Sequence, residues 1–174
     1  NDDSIHAPGI RMLAQAASKL GNVYVVAPAN QCSAMSQKLT LREPMTLQEI
    51  KDFSDDVKAA WKVGGTPVDC VKVALYHILK EKPDLVLSGI NNGYNAGFDI
   101  AYSGTVGAIF EAARLGVPAI AFSMDYEAKA EDVIGQLDGI LDFMNENGLW
   151  ECGSLYNRNL HNSPEGICIT HQGG

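Results

Sequence analysis

The sequence has no uninterrupted apolar stretch near the roughly 20 residues that a membrane-spanning helix needs, although apolar residues make up 46% of the chain. It is also poor in positive charge, since 13 Lys and Arg residues stand against 21 Asp and Glu residues, for a formal net charge of -8. Such a chain repels anionic membranes and nucleic-acid polymers, so we expect neither as a partner. A small phosphate ester needs a local field of the opposite sign, which a bound cation would supply.

The cysteines show neither the spacing of a zinc site nor a C-x-x-C pair. They are Cys32, Cys70, Cys152 and Cys168. No secretory leader is visible in the printed sequence. We therefore expect reduced thiols and a cytoplasmic location.

Strand-like and helix-like segments alternate along the chain, which is typical of a parallel sheet flanked by helices. Short β-branched runs predict strands, and apolar residues at helical spacing predict helices. The predicted strands cover residues 23–27, 59–63, 84–88, 117–123 and 167–170, with extended structure over 39–47. The predicted helices cover residues 8–20, 67–80, 105–115 and 129–144. At this length we expect residues 1–174 to form a single domain.

Two adjacent carboxylates, Asp2 and Asp3, precede the first predicted helix. Two unit charges about 4 Å apart repel by roughly 4 kcal/mol at an effective dielectric constant of 20, so a compensating cation is expected. In open α/β sheets, ligands gather beyond the carboxyl ends of the strands. There, two carboxylates with a loop Ser and a loop Asn would form an oxygen-only ligand set, which suits Mg²⁺ or Mn²⁺ better than Zn²⁺. The alternative is that the two acids only cap the following helix.

A long loop from residue 89 to residue 103 is rich in Gly and Asn and contains no Lys or Arg. A predicted helix opens directly after it, near Ser103 and Thr105. The free N–H groups and the positive end of the helix dipole at such a start bind anions. A phosphate bound here would therefore meet neutral donors and a metal rather than a salt bridge. Further upstream, Thr66 and Asp69 predict a capped helix start around Pro67.

Motifs in five segments of the chain resemble, in their order, those of the SurE (survival protein E) family of metal-dependent nucleoside monophosphate phosphatases. They are residues 1–9 (NDDSIHAPG), 26–28 (VAP), 65–71 (GTPVDCV), 88–97 (SGINNGYNAG) and 102–106 (YSGTV). The resemblance implies a Rossmann-like three-layer α/β/α sandwich with a mostly parallel sheet. It also implies a homodimer or homotetramer. Ser4 stands where that family usually has Gly, and we expect the family's first strand and its C-terminal hairpin and helix to be missing from this chain.

The same resemblance assigns site residues. It implies one Mg²⁺ or Mn²⁺ per subunit, with ligands Asp2, Asp3, Ser33 and Asn91. It implies phosphate contacts from Asn95, Ser103, Gly104 and Thr105.

The expected activity is that of a divalent-metal-dependent phosphomonoesterase, which hydrolyses nucleoside 5′- and 3′-monophosphates to nucleoside and phosphate. Asp3 is the candidate catalytic residue, either orienting or activating the nucleophile. One alternative is a haloacid-dehalogenase-type phosphatase, but that class uses an Asp-x-Asp motif and the two acids here are adjacent. Another is a nucleotide- or metal-binding module without turnover, which the lack of Lys and Arg in the loops leaves open.

Overall fold

The computed structural model describes residues 2–151, 153–162 and 164–171. Its α-helices are α1 (Pro8–Ala17), α2 (Pro67–Val73), α3 (Gly104–Arg114) and α4 (Ala130–Glu146). Its strands are β1 (Tyr24–Pro28), β2 (Leu47–Ile50), β3 (Ala59–Val63), β4 (Val86–Asn92), β5 (Ala119–Met124) and β6 (Leu155–Leu160). A π-helical turn at Ala74–Ile78 extends α2, and a 3₁₀ helix at Gly97–Ala101 precedes α3. Cys32, Cys70 and Cys168 are free thiols, as predicted, while Cys152 lies outside the described residues.

Within the described residues the strands form two three-stranded sheets, with the orders β1-β3-β2 and β4-β5-β6. The strand pairs β1–β3, β4–β5 and β5–β6 are parallel, and β2 pairs antiparallel with β3. Parallel neighbours need crossover connections. Helix α3 supplies the connection from β4 to β5 and α4 that from β5 to β6, whereas the connection from β1 to β3 contains β2. The predicted α/β architecture with a mostly parallel sheet is confirmed.

The central strand β5 shows how the layers are held together. Its side chains alternate between two faces, as in any strand. Ile120 and Phe122 join a core with α1, α4 and Leu160, whereas Ala119 and Ala121 pack with α3. Both faces of the strand are therefore buried, as is usual for parallel sheets. Burying a side chain such as Phe122 contributes about 1.5–3 kcal/mol.

Helix α1 lies unusually close to strand β4. Pro8 occupies its first turn, where the fixed φ of proline suits a helix start. A Cβ atom at Gly9 would overlap the carbonyl oxygen of Ile90, so only glycine permits this approach. The contact places the residues just before α1 beside the carboxyl end of β4.

Several predicted boundaries differ from the structure. Helix α1 ends at Ala17 rather than residue 20, because the amides of Lys19 and Leu20 bond to carbonyls three residues back, in turns. Strand β4 runs on to Asn92, into the segment predicted as loop. Residues 39–46 form no strand, and the extended structure begins only at Leu47.

The predicted strand at residues 167–170 is wrong, because residues 164–171 carry no regular structure. The sixth strand is instead Leu155–Leu160, which pairs with β5. An apolar run shows that a segment favours extended backbone, but a strand also needs a neighbour for its hydrogen bonds. Although it is more polar, the segment Leu155–Leu160 has β5 as its hydrogen-bonding neighbour.

The predicted capping box at the start of α2 is confirmed and has a further partner. Thr66 N–H donates to Asp69 Oδ2 at 2.9 Å, and Asp69 N–H donates to Thr66 Oγ1 at 3.2 Å. The Thr40 N–H and hydroxyl also donate to the Asp69 carboxylate, at 3.0 and 2.7 Å. Asp69 is only 2% exposed. It therefore ties the irregular segment around Thr40 to the helix.

We expect Asp69→Asn to lower the free energy of unfolding near neutral pH by about 1–3 kcal/mol, because an amide cannot accept all of these hydrogen bonds. Burial alone would raise the pKa of Asp69, but the hydrogen bonds from Thr40 and Thr66 outweigh it and lower the pKa. The stabilisation is therefore present above the unfolded-state pKa of about 3.9 and is lost as pH falls through the folded-state value. Urea unfolding across this range measures the difference. The exposed Asp52→Asn is the matched control, and an equal loss in both variants would contradict the role.

Candidate functional site

Backbone hydrogen bonds fix the first described residues against the loop that follows β1. Cys32 N–H donates to Asp2 O at 2.6 Å, and Ile5 N–H donates to Pro28 O at 2.9 Å. Ile5 is fully buried in the core beneath this segment. The backbone of the acidic pair is thereby held at the carboxyl end of the first sheet.

Asp3 lies between this loop and the end of β4. The Nε2 atom of Gln31 donates to Ser33 Oγ at 3.1 Å and to Asp3 Oδ1 at 3.4 Å. The N–H of Asn92 donates to Asp3 Oδ2 at 3.2 Å. These hydrogen bonds join the segments that carry three of the predicted metal ligands. The three are Asp3, Ser33 and Asn91, which directly precedes Asn92. No pattern in the sequence pointed to Gln31, whose side chain links Asp3 and Ser33.

The amide of Asn91 has a defined orientation. Its Nδ2 atom donates to the carbonyl of Gly93 at 2.7 Å. Its Oδ1 atom is therefore the end of the amide that remains for a cation, and a carbonyl oxygen is a suitable ligand for Mg²⁺ or Mn²⁺.

Asp2, the fourth predicted ligand, lies against the start of α3. Thr105 Oγ1 donates to Asp2 Oδ1 at 3.1 Å, and a Cβ atom at Gly104 would lie 3.1 Å from Asp2 Cβ. Asp2 is 5% exposed. Burial raises the pKa of its carboxyl group and the charge of Asp3 adds to the rise, while the hydrogen bond from Thr105 opposes it.

The N-terminus of α3 has the features of an anion site. Ser103 is the N-cap, and its Oγ accepts from the N–H of Val106 at 3.1 Å. The N–H of Gly107 donates to the Ser103 carbonyl. In the described part of the chain no hydrogen bond uses the amides of Gly104 and Thr105, so these two N–H groups and the Ser103 hydroxyl hydrogen remain as donors.

The donor chemistry fits a hard divalent cation. Among the described residues no three His, Cys, Asp or Glu side chains come together, so the carboxylates of the candidate site are Asp2 and Asp3 alone. Ser33 and Asn91 add neutral oxygens. An oxygen set of low charge, completed by water, is what Mg²⁺ and Mn²⁺ take in proteins. A cation there would also relieve the repulsion between two adjacent carboxylates, one of which is nearly buried.

Asn95, the remaining predicted phosphate contact, is held from another direction. It is 7% exposed, and its Nδ2 atom donates to Ser123 Oγ at 2.8 Å. Its backbone bonds to Asn157 and Asn159 on β6. Ser123 is the β5 partner of Asn91, so Asn95 lies above the strand ends that carry the candidate metal ligand.

Ser4 has a backbone conformation that favours glycine. Its φ is +85°, in the left-handed region that costs an L residue roughly 1–2 kcal/mol. Its Oγ accepts from the N–H of His6 at 3.3 Å. The turn after the acidic pair therefore forms with serine in place of the glycine usual in the resembled family.

A cavity of about 370 Å³ lies beside the start of α3. Ser103 is one of its lining residues, and its walls include Phe98, Ile100 and Phe110. Phe98 is 86% exposed. An uncharged aromatic cavity thus adjoins the candidate anion site.

The fold and the grouping of these residues define an α/β protein with a candidate cation site next to a candidate anion site at a helix start. No helix in the described residues combines the length and the apolar character needed to cross a membrane. The family model described as Survival protein SurE matches residues 1–173. This chain belongs to the SurE family, and the resemblance of its motifs is confirmed.

Individual relatives agree with this assignment. The 5′-nucleotidase SurE of Protochlamydia amoebophila is 41% identical over 99% of this chain and 68% of its own length. That of Chlorobium luteolum is 44% identical with the same coverage, and that of Trichodesmium erythraeum is 49% identical over 71% of this chain and 47% of its own length. The crystal structure of the SurE protein from Aquifex aeolicus is 39% identical, with a TM-score of 0.85, and the match covers 99% of this chain and 70% of that one. The match therefore spans roughly half to about two thirds of these relatives' length.

We expect Gly104→Ala to weaken binding of Mn²⁺ by about 10-fold, because the added methyl group would press on Asp2 and Pro67 and shift the carboxylate. Isothermal titration with Mn²⁺ measures the affinity. Gly135→Ala is the matched control, since nothing lies within 4 Å of its added Cβ. Equal affinities for Gly104→Ala and Gly135→Ala would show that the Gly104–Asp2 contact does not set the cation site.

Proposed function

We propose that the protein is a divalent-metal-dependent phosphomonoesterase that hydrolyses nucleoside 5′- and 3′-monophosphates to nucleoside and phosphate. The observation that carries the proposal is the hydrogen bond from Thr105 to Asp2. It sets the anion-binding start of a helix against a pair of carboxylates whose charge calls for a cation. The relatives named 5′-nucleotidase SurE support the same activity.

Asp2, Asp3, Ser33 and Asn91 would hold one Mg²⁺ or Mn²⁺ per subunit. When bound, such an ion polarises a phosphoryl oxygen and lowers the pKa of a coordinated water. The metal dependence explains how a chain with a net charge of -8 would bind a phosphate ester beside a loop, residues 89–103, that contains no Lys or Arg.

The phosphoryl group would be held by neutral donors. The amides of Gly104 and Thr105 and the hydroxyl of Ser103 donate to its oxygens, together with the side-chain amide of Asn95. Fixed donors of this kind stabilise the charge that grows in the transition state, because they need no reorganisation during the reaction. Asp3 would orient or activate the attacking water, and the hydrogen bonds from Asn92 and Gln31 restrain its carboxylate for that task.

The nucleoside would occupy the aromatic cavity beside α3. Ser103 belongs both to this cavity and to the candidate phosphate site. Four residues of α-helix rise about 6 Å, so Gly107 and Phe110 on the same helix extend the site away from the phosphate. The uncharged cavity walls suit a flat, neutral base that stacks on a Phe ring.

Three further features belong to the same proposal. Residues 1–174 would act as one domain, the protein would be cytoplasmic, and it would assemble as a homodimer or homotetramer. Family membership supports the assembly. Size-exclusion chromatography with light scattering tests it directly.

Two alternative functions are tested by a phosphate-release assay together with a trapping experiment. A haloacid-dehalogenase-type enzyme would form an aspartyl-phosphate that fluoride analogues trap, and a binding module would take up AMP and metal without releasing phosphate. Phosphate release from AMP or GMP with Mn²⁺, and its loss with EDTA, distinguishes the proposed enzyme from a binding module. The absence of a trapped aspartyl-phosphate distinguishes it from the haloacid-dehalogenase type.

For Asp3→Asn at saturating Mn²⁺, we expect kcat to fall by about 100-fold or more, since a neutral amide neither activates water nor balances the cation. The raised pKa of Asp2 in the metal-free protein predicts that at limiting Mn²⁺ wild-type activity declines on the acid side at a higher pH than an ordinary aspartate would give, because protons compete with the cation. Initial rates of phosphate release across pH measure both effects. Asp55→Asn, at an exposed position, is the control. Wild-type turnover in Asp3→Asn would rule out its catalytic role.

For Phe98→Ala, we expect KM for AMP to rise by about 5- to 10-fold with little change in kcat, because base stacking contributes about 1–3 kcal/mol. The same variant should leave KM for glycerol phosphate unchanged, as that ester has no base. Steady-state kinetics with both esters provide the comparison. An equal rise in KM for both esters would place the base elsewhere. Tyr24→Ala, an exposed aromatic residue on β1, is the matched control.

A further inference from the structure

Asn95, in the loop after β4, is bonded to strand β6 by three hydrogen bonds. The N–H of Asn95 donates to Asn159 Oδ1 at 2.9 Å, and Asn159 Nδ2 donates to the carbonyl of Asn95 at 3.0 Å. One side-chain amide thus bonds to both backbone groups of the same residue. Asn157 Nδ2 adds a second bond to that carbonyl, at 2.8 Å.

The strand register explains how these groups meet. Asn157 and Asn159 are two residues apart on β6, so they face the same side of the sheet. Asn159 is the β5–β6 partner of Ser123, whose Oγ accepts from Asn95 Nδ2. Asn95 therefore bonds to two adjacent strands, one through its side chain and the other through its backbone.

These bonds restrict what Asn95 can offer a ligand. Its backbone N–H and C=O are both occupied, and one hydrogen of its side-chain amide goes to Ser123. Its remaining side-chain donor is the second Nδ2 hydrogen. The direction of that hydrogen is set by where Asn159 and Ser123 hold the residue.

We propose that Asn159 is a positioning residue for the phosphate site, which fixes Asn95 so that its side-chain amide donates to the phosphoryl group. The inference rests on the proposed function in that Asn95 contacts phosphate there. Asn159 itself does not touch the reacting atoms. Its bonds run to Asn95 rather than to Asp2, Asp3, Ser33 or Asn91, so it acts on phosphate and leaves the cation site alone.

The test is a double-mutant cycle with Asn159→Ala, Asn95→Ala and the double variant, read out as the Kd for inorganic phosphate in the presence of Mg²⁺. Misplacing a contact group by about 1 Å lowers a reaction rate by up to about 100-fold. We expect Asn159→Ala to weaken phosphate binding by about 10-fold or more. Because Asn159 acts through Asn95, the double variant should bind no more weakly than Asn95→Ala alone. Asn162→Ala, at an exposed asparagine just beyond β6, is the matched control.

Two further measurements separate positioning from general stability. Hydrogen exchange at the Asn95 amide should accelerate by about 10-fold or more in Asn159→Ala, because the residue loses the acceptor of that hydrogen. The Kd for Mg²⁺ should stay within about twofold of wild type, since the metal ligands are untouched. If Asn159→Ala does not fold, Asn159→Asp replaces it. This variant keeps the acceptor for the N–H but loses the donor to the carbonyl, so phosphate binding should still weaken while amide exchange stays slow.

The positioning role would be overturned if the losses of phosphate affinity in the two single variants added up in the double variant. It would also be overturned if hydrogen exchange at the Asn95 amide were unchanged in Asn159→Ala, or if that variant lost Mg²⁺ affinity in parallel. Wild-type protein that binds no phosphate would overturn it too. Phosphate binding without hydrolysis of AMP would overturn the nucleotidase proposal alone, because the cycle reads binding and not turnover.

Discussion

The carboxylate of Asp2 lies against the N-terminus of α3, bonded to Thr105 and packed on Gly104, and the candidate site depends on this contact. Without it, the paired acids would be a charged turn and the helix start an ordinary anion site. Together they form a place where negative side chains and a negative ligand are adjacent, an arrangement that a cation between them makes favourable. The nearly complete burial of Asp2 strengthens the effect, because low dielectric surroundings increase the cost of an uncompensated charge.

The sheet supplies the precision that this arrangement requires. Strand β5 is buried on both faces, and the ends of β4 and β6 beside it carry Asn91 and Asn159. Both strands are hydrogen-bonded to β5 along its length, so the side chains at their ends move less than side chains on free loops. The loop between β4 and α3 is long, yet its buried Asn95 is held by bonds to two strands. The candidate site thus lies at the carboxyl ends of well-paired strands, as the general rule for open α/β folds expects.

In the candidate site, neutral hydrogen-bond donors take the place of basic residues. The site combines amide N–H groups, hydroxyls and asparagine side chains, while the Lys72–Glu111 and Arg114–Glu111 ion pairs lie between α2 and α3 and within α3. A site of this kind attracts phosphate weakly until a cation is present. In the proposed function, the affinity for an anionic ester would therefore be coupled to metal occupancy, which is a simple physical route to metal dependence.

The sequence by itself determined the alternating α/β pattern, the capping box of Thr66 and Asp69, and the motifs that carry family membership. These signals are local, since periodicity, caps and short motifs are written within a few neighbouring residues. Only the tertiary structure decided that the polar segment Leu155–Leu160 is a strand and that residues 167–170 are not, because strand formation depends on a distant partner. It also decided the contacts of Gln31 and Asn159, whose hydrogen bonds join segments far apart in the chain. Such contacts are set by how sheets and helices pack, and no local pattern of residues encodes them.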